Sequence, residues 1–452
     1  MKNYLWVMVA VFLLVAGCVE NQNLITPSPS ATPVTTAIPT VSPSITPVPT
    51  VTVTPSSAPT ASPSPTEIPL TDGWQSLPSG EVTRNLNSFA MTLFSKTESG
   101  KNAFLSPYSI STALAMVKEG AAGETEKQLR TTLGLPKNGV KEFFNETSSA
   151  LESSVAGFEF KTANAQWIAK SFALRQEFVD TLKRYYSASA YQLDFAGNPQ
   201  DASDSINAWV SNKTNARIKD LVKPEMFDGY TRLVLTNAVY FNASWLVPFD
   251  AAQTLEKDFF VQPSSPVKVQ MMSMVGSQSE FSYGESGQAQ VLAMPYQGWR
   301  AEMLVVLPKQ GVPLEQVEAN LSKIIEQTPA YSSKVDISLP RFSFTSAYSL
   351  NDWLASAGIV DAFDPAKADF SRMDGNAHNL FISSVLHKAF VKVNEAGTEA
   401  AAATAIIAVG TSYNPALPKV FNADHPFDFV IRDTQTGLIL FVGRVSDPTQ
   451  AG

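Results

Sequence analysis

The side chains able to do chemistry are few and far apart. His378, His387 and His425 are the only histidines, and none belongs to a His-Glu-x-x-His or His-x-Glu pattern. One cysteine is present, Cys18, so no intramolecular disulfide can form. A metal site needs several nitrogen, sulfur or carboxylate ligands converging at defined spacing, which this set does not supply. One Ser-x-x-Lys occurs, Ser265-Pro266-Val267-Lys268, but that chemistry requires the motif on a helix. Pro263 and Pro266 make it a loop leading into a strand. There is no Gly-x-Ser-x-Gly elbow and no phosphate-binding Gly-rich loop. The chain reads as a non-enzyme that needs no cofactor and no metal.

One segment has a different kind of chemical potential. Glu395-Ala396-Gly397-Thr398-Glu399 runs into Ala400 to Ala403, Thr404-Ala405-Ile406-Ile407-Ala408-Val409, then Gly410-Thr411-Ser412-Tyr413-Asn414-Pro415. Alanine favours a helix, yet the second half is β-branched and dissolves into turn residues. At period two, Thr398, Ala400, Ala402, Thr404, Ile406 and Ala408 are uncharged and mostly small, whereas Glu399 is on the other face. Such a stretch is acceptable as an exposed loop and as a strand inside a sheet. It could therefore switch between the two.

The elements that would hold this segment follow from periodicity. Val82, Leu86, Phe89 and Leu93 have helical spacing, and Ser106-Pro107 opens a second helix carrying Ile110, Leu114 and Val117. Helices are predicted over Gln176–Ser187, Ala202–Leu221, Pro313–Gln327 and Ala347–Ser356. Strands are predicted over Leu233–Phe241, Glu302–Leu307, Val335–Leu339, Phe390–Val393, Phe427–Ile431 and Leu438–Val445. Arg432–Gly437 reads as the hairpin turn joining the last two. Helices early and strands late give an α+β domain built on large sheets.

The N-terminal part is of another texture. After Met1-Lys2-Asn3, Tyr4 to Ala16 is almost wholly apolar and ends in Val15-Ala16-Gly17-Cys18. That run is short for a membrane span and suits a signal peptide over 1–17. Its ending resembles the lipobox of prokaryotic lipoproteins, in which the cysteine thiol is alkylated by a lipid and becomes the new N-terminus. The resemblance implies lipidated Cys18 and a membrane anchor; two acyl chains on one residue hold stably where one does not. Asn21 to Thr66 holds no charged residue, and 12 of the 30 prolines fall between Pro27 and Pro69. Residues 18–72 are thus expected to be a disordered, extended stalk. At about 3.1 Å per residue, its roughly 50 residues span at most on the order of 150 Å. The folded domain is expected over 73–452. A net charge of −8 without a basic cluster argues against nucleic acid as a partner.

Val393-Asn394-Glu395-Ala396-Gly397-Thr398-Glu399-Ala400-Ala401-Ala402 resembles the reactive-loop hinge of the serpin family. Other stretches match in order: Asn102 to Ile110, Gly120 to Thr125, Leu235 to Phe241 with Trp245, Pro248 and Phe249, Leu339-Pro340-Arg341-Phe342, Ala368 to Ser371, His387-Lys388-Ala389 and Ala423 to Phe427. The resemblance covers about 75–448. It implies three β-sheets, eight or nine helices and an exposed reactive loop. It implies a suicide substrate: a serine protease cuts the loop, forms a covalent acyl complex, and is distorted when the loop inserts into the central sheet. The protein would act as a monomer, outside the cell and tethered to the membrane. A non-inhibitory serpin and a cell-surface binding module are the alternative readings.

By the family's spacing the scissile bond lies 14 residues beyond Gly397, at Thr411-Ser412, with Ser412-Tyr413 and Tyr413-Asn414 as neighbouring possibilities. The hinge residues are Glu395, Gly397, Thr398, Ala400, Ala402 and Thr404. Sheet opening would be controlled by Ser106, Ser109, Asn237 and His387 beneath its centre, and by Arg341 and Glu395 beside Trp245 at its top. The family usually has lysine at Arg341, so charge is kept with a different hydrogen-bonding geometry. Asp428 stands where the family's C-terminal signature prefers an apolar residue; it is harmless there if it faces solvent, and otherwise the match to the family is locally wrong.

Overall fold

The computed structural model describes residues 80–152, 156–276, 279–328, 330–399 and 417–450. Cys18, the expected signal peptide and stalk, Ala400, Ala402, Thr404 and the Thr411-Ser412 bond lie outside the described residues. Helices and large sheets combine in an α+β domain, as the order of elements predicts.

The central sheet has six strands in the order Phe342–Ser349, Ile382–Asn394, Gly397–Thr398, Leu233–Ser244, Phe158–Ala169 and Ser189–Leu193. Ile382–Asn394 and Leu233–Ser244 are paired in parallel from Ile382↔Leu233 to Ala389↔Val239. Above that point the two residues Gly397–Thr398 stand between them. The strands alternate cleanly: Leu233, Leu235, Val239 and Phe241 face the main core, while Val234 and Ala238 join a second cluster with Trp167, Ile206 and Val210 under the helix Pro199–Lys213.

The remaining strands form two sheets that share one strand. The first half of Ala330–Pro340, up to Lys334, pairs with Glu280–Glu285, and its second half pairs with Ser265–Met274 and Lys419–Asn422. Counted this way there are three sheets. Phe104, Phe441, Phe160 and Phe241 fill the space between the central sheet and the hairpin Phe427–Asp433/Ile439–Val445, with the Phe104 and Phe441 rings stacked at 5.0 Å. The helix Pro107–Gly120 is buried along almost its whole length in that layer. Pro107 occupies its first turn, and the Ser106 hydroxyl caps it by accepting from the Ser109 N–H at 3.3 Å.

Helix ends depart from the periodicity. The helix expected over Ala202–Leu221 runs from Pro199 to Lys213, because Asn215 and Ala216 take left-handed backbone conformations at φ 49° and 60°. Pro313–Gln327 is two helices, Leu314–Glu318 and Leu321–Gln327. Such breaks bring the described residues to ten α-helical segments, against the eight or nine expected. Ser265-Pro266-Val267-Lys268 opens the strand Ser265–Met274, with Lys268 exposed and paired to Asp258 at 2.8 Å, so it carries no nucleophile–base pair.

Candidate functional site: a hinge and two locks on one sheet

His387 lies directly across from Asn237 in the neighbouring strand, and Asn164 lies across from Asn237 in the next. The three side chains therefore form a polar row on one face of three adjacent strands. The start of the helix Pro107–Gly120 meets this row from below. The Ser106 N–H donates to His387 Nε2 at 3.1 Å, which makes Nδ1 the protonated nitrogen, and that N–H donates to Asn237 Oδ1. Asn237 Nδ2 donates to Ser109 Oγ at 2.6 Å and also to Asn164 Oδ1. Ser109 Oγ donates to the same Asn164 oxygen at 3.2 Å, and Ser106 Oγ to the Leu440 carbonyl at 2.7 Å. Ser106, Ser109, Asn237 and His387 are thus brought together in one hydrogen-bonded cluster. Asn164 is a fifth member that sequence reasoning missed; a polar residue between Ala163 and Ala165 in the less charged half of a strand was the available signal.

Burial pushes His387 down to about 3, and the Asn237 hydrogen bond only partly offsets it. The imidazole is neutral when folded and free to protonate when unfolded. Its contribution is therefore fully present above about pH 6.5 and is lost as pH falls towards 3. The stability difference between the parent and His387→Asn should shrink on acidification by about 1.4 kcal/mol per pH unit below that point. Denaturant melts of both proteins between pH 7.5 and 4.5 measure it; a constant difference would show that the ring is not held neutral.

The second lock is at the top of the sheet. Arg341 Nε donates to Glu395 Oε1 at 2.6 Å, Arg341 Nη2 reaches the same oxygen, and Thr254 Oγ1 donates to it as well. Burial alone would raise the Glu395 carboxyl, but Arg341 and Thr254 outweigh it and hold it below its usual range. Two guanidinium nitrogens on one oxygen is a fork that lysine could not make. Trp245 is buried beside this pair. Its indole N–H donates to the Asn394 carbonyl at 3.0 Å, its ring stacks on Tyr296 at 4.6 Å, and its backbone N–H donates to the Ala396 carbonyl at 2.8 Å.

Between the locks stands the hinge. Gly397 pairs with Asn394 and Ser244, and Thr398 with Val393 and Ala243. A Cβ on Gly397 would come within 2.1 Å of the Ala243 carbonyl oxygen, so this position requires glycine. Thr398 is buried, and its hydroxyl shares a 2.6 Å hydrogen bond with the Tyr296 hydroxyl. Tyr296 and Thr254 are further site residues without a signal in the sequence. Of the hinge residues expected, Glu395, Gly397 and Thr398 are placed together here.

Two polar side chains outside the hinge are also accounted for. Asp428 does not face solvent: it is fully buried between Arg444 and Val306 on the neighbouring strands. Burial pushes its carboxyl well above the usual range, reinforced by Glu318 and opposed by Arg444. His425 is a strand-end clamp, with Nδ1 2.8 Å from Asp424 Oδ1 and Nε2 3.0 Å from the Pro308 carbonyl. Among the described residues no group of His, Cys, Asp or Glu is arranged to hold a metal.

The comparisons with known proteins agree with this architecture. The family profile described as serpin (serine protease inhibitor) matches residues 84–448. An uncharacterized serpin-like protein of Thermococcus kodakarensis is 41% identical over 377 residues, 81% of this chain and 86% of that one. The human leukocyte elastase inhibitor is 38% identical over 377 residues, covering 80% of this chain and 97% of its own. The crystal structure of Serpin48, a highly specific serpin of the insect Tenebrio molitor, superposes with a TM-score of 0.73 at 32% identity over 81% of this chain and 98% of that one. The chain belongs to the serpin family, whose members are mostly protease inhibitors and not enzymes.

Proposed function

We propose that this serpin traps a serine protease as a suicide substrate, with Thr411-Ser412 as bait. The protease serine Oγ attacks the Thr411 carbonyl, the Ser412 amine leaves with the proton the protease's base took from that serine, and an acyl ester joins the two proteins. The severed loop then enters the central sheet behind Thr398 before water hydrolyses the ester.

One observation carries this reading. The two registers around the hinge, extended downward, meet at a single residue. Thr398 opposite Ala243 puts position 404 opposite Asn237, and Thr398 opposite Val393 puts position 404 opposite His387. Thr404 would enter where the direct His387–Asn237 bond must break, with a hydroxyl able to satisfy both groups. By the same registers Ile406 meets Leu235 and Val385, both in the main core, and Ala402 meets Val239 and Ala389. The sequence of the loop suits the slot that the strands would offer it.

The target is an elastase-like or subtilisin-like protease. Thr411 is small, follows Val409-Gly410, and no Lys or Arg lies between Lys392 and Lys419, which disfavours a trypsin-like enzyme. The resemblance to a protein named leukocyte elastase inhibitor points the same way. Mass spectrometry of the C-terminal fragment released by such a protease is expected to show Ser412 as its first residue. A fragment beginning at Asn414 would make Tyr413 the bait and the target chymotrypsin-like.

The domain works from the outer face of the cell membrane, lipidated at Cys18 and carried on the stalk 18–72. The Val15-Ala16-Gly17-Cys18 ending and the uncharged Asn21 to Thr66 segment support this placement. Fractionation of cells expressing Cys18→Ser is expected to find the protein released from the membrane; retention equal to the parent would contradict the anchor.

A further inference from the structure

The strand Gly397–Thr398 is two residues long, and the residue that follows it is held on the outer face of the sheet. The Glu399 N–H donates to the Lys392 carbonyl at 2.7 Å, and Glu399 itself has a left-handed backbone at φ 61°. Its carboxylate is almost fully buried, 4% exposed, and is ion-paired with Arg217. Burial raises the Glu399 carboxyl and Arg217 opposes the shift.

Arg217 is presented by a strained turn. Asn215 and Ala216 immediately before it have φ 49° and 60°, held by Ala216 N–H to the Ser211 carbonyl at 2.7 Å and Arg217 N–H to the Thr214 carbonyl at 2.9 Å. A left-handed non-glycine residue costs on the order of 1–2 kcal/mol and persists only where the surroundings hold it. Six non-glycine residues have positive φ among the described residues, and three of them, Asn215, Ala216 and Glu399, flank this one ion pair. The turn lies against the strand Ile382–Asn394: the Arg217 guanidinium sits 5.7 Å from the Phe390 ring centroid, and Lys388 Nζ donates to the Asp220 carbonyl at 2.9 Å.

We infer that Arg217 is a positioning residue that clamps Glu399 and parks the hinge two residues into the sheet, setting the rate at which the rest of the loop follows. The inference rests on the insertion reading above. For Ala400 to continue the ladder, Glu399 must pass from φ 61° to extended backbone, which swings its carboxylate out of the pocket that Arg217 closes. The ion pair is broken in that step and is absent from the transition state, so removing it speeds insertion.

The test cuts the loop with a protease that releases its substrate and follows insertion by stopped-flow tryptophan fluorescence, Trp245 lying beside the opening. Arg217→Ala and Glu399→Ala are each expected to insert about five- to tenfold faster than the parent, a gain equivalent to about 1 kcal/mol of barrier. The double variant should be no faster than either single, because both remove the same pair. Parent-like or slower rates in the single variants would overturn the clamp while leaving insertion intact, and so would single effects that add in the double. A cut parent with neither a fluorescence change nor a gain in heat resistance would remove insertion itself, and the clamp with it.

Discussion

Cutting the loop of the intact protein is expected to raise its melting temperature by roughly 5 °C or more, the shift that several kcal/mol gives in a domain of this size. An ordinary nicked loop behaves in the opposite sense: the unfolded chain gains entropy and the folded state gains nothing. Here a strand running from Thr398 towards Ala408 would fill the slot between Ile382–Asn394 and Leu233–Ser244, adding backbone hydrogen bonds worth about 1 kcal/mol each. Ala400, Ala402, Thr404 and Ile406 would bury their side chains against Phe241, Val239, Asn237 and Leu235. Ordering the loop backbone costs about 1–2 kcal/mol per residue, so the net gain is well below the gross one. Scanning calorimetry of intact and cut protein measures it, and an equal or lower melting temperature after cutting contradicts insertion.

Thr398→Arg is expected to turn the inhibitor into a substrate. Thr398 is already inside the sheet, 2% exposed, with its hydroxyl on Tyr296 and that ring stacked on Trp245. An arginine there would bring an unpaired charge into a buried aromatic site, at a cost of several kcal/mol. The hinge would be expelled, and insertion would lose its race against hydrolysis of the acyl ester. Cleavage at the same bond should continue while the fraction of protease trapped falls at least tenfold, the effect of about 1.4 kcal/mol on that partition. Thr398→Ser keeps the hydroxyl and should behave as the parent. Trapping by Thr398→Arg at the parent's level would show that this position need not enter the sheet.

Much of the site was legible because it is written in local pattern. Glycine at 397, small uncharged residues at alternate positions after it, and a hydroxyl at Thr398 are what the proposed inserting strand would need. The polar residues of the lower lock stand out in apolar runs, His387 in Val385 to Val391 and Asn237 in Leu233 to Phe241. What was not legible depends on long-range approach of ordinary side chains. Tyr296 meets Thr398 across 102 residues, and Thr254 meets Glu395 across 141, with nothing unusual in either sequence context. Arg217 was hidden for another reason. Composition predicts helix through Leu221, whereas two non-glycine residues turn left-handed at 215 and 216, a choice imposed by packing and not by propensity. Asp428 shows the same limit: its place in the strand Phe427–Asp433 was readable, but its burial depends on how Arg444 and Glu318 close over it.

Inhibition by the proposed route depends on the protease being held covalently after cleavage. The most direct measurement is a denaturing gel of the full chain mixed with an excess of an elastase-like or subtilisin-like serine protease, with a parallel lane of Thr398→Arg. A band resistant to denaturation is expected at the summed mass of protease and inhibitor, less the short C-terminal fragment, and it should be lost in the variant. Complete conversion of the parent to cleaved product with fully active protease remaining, or no cleavage within the loop at all, would contradict it.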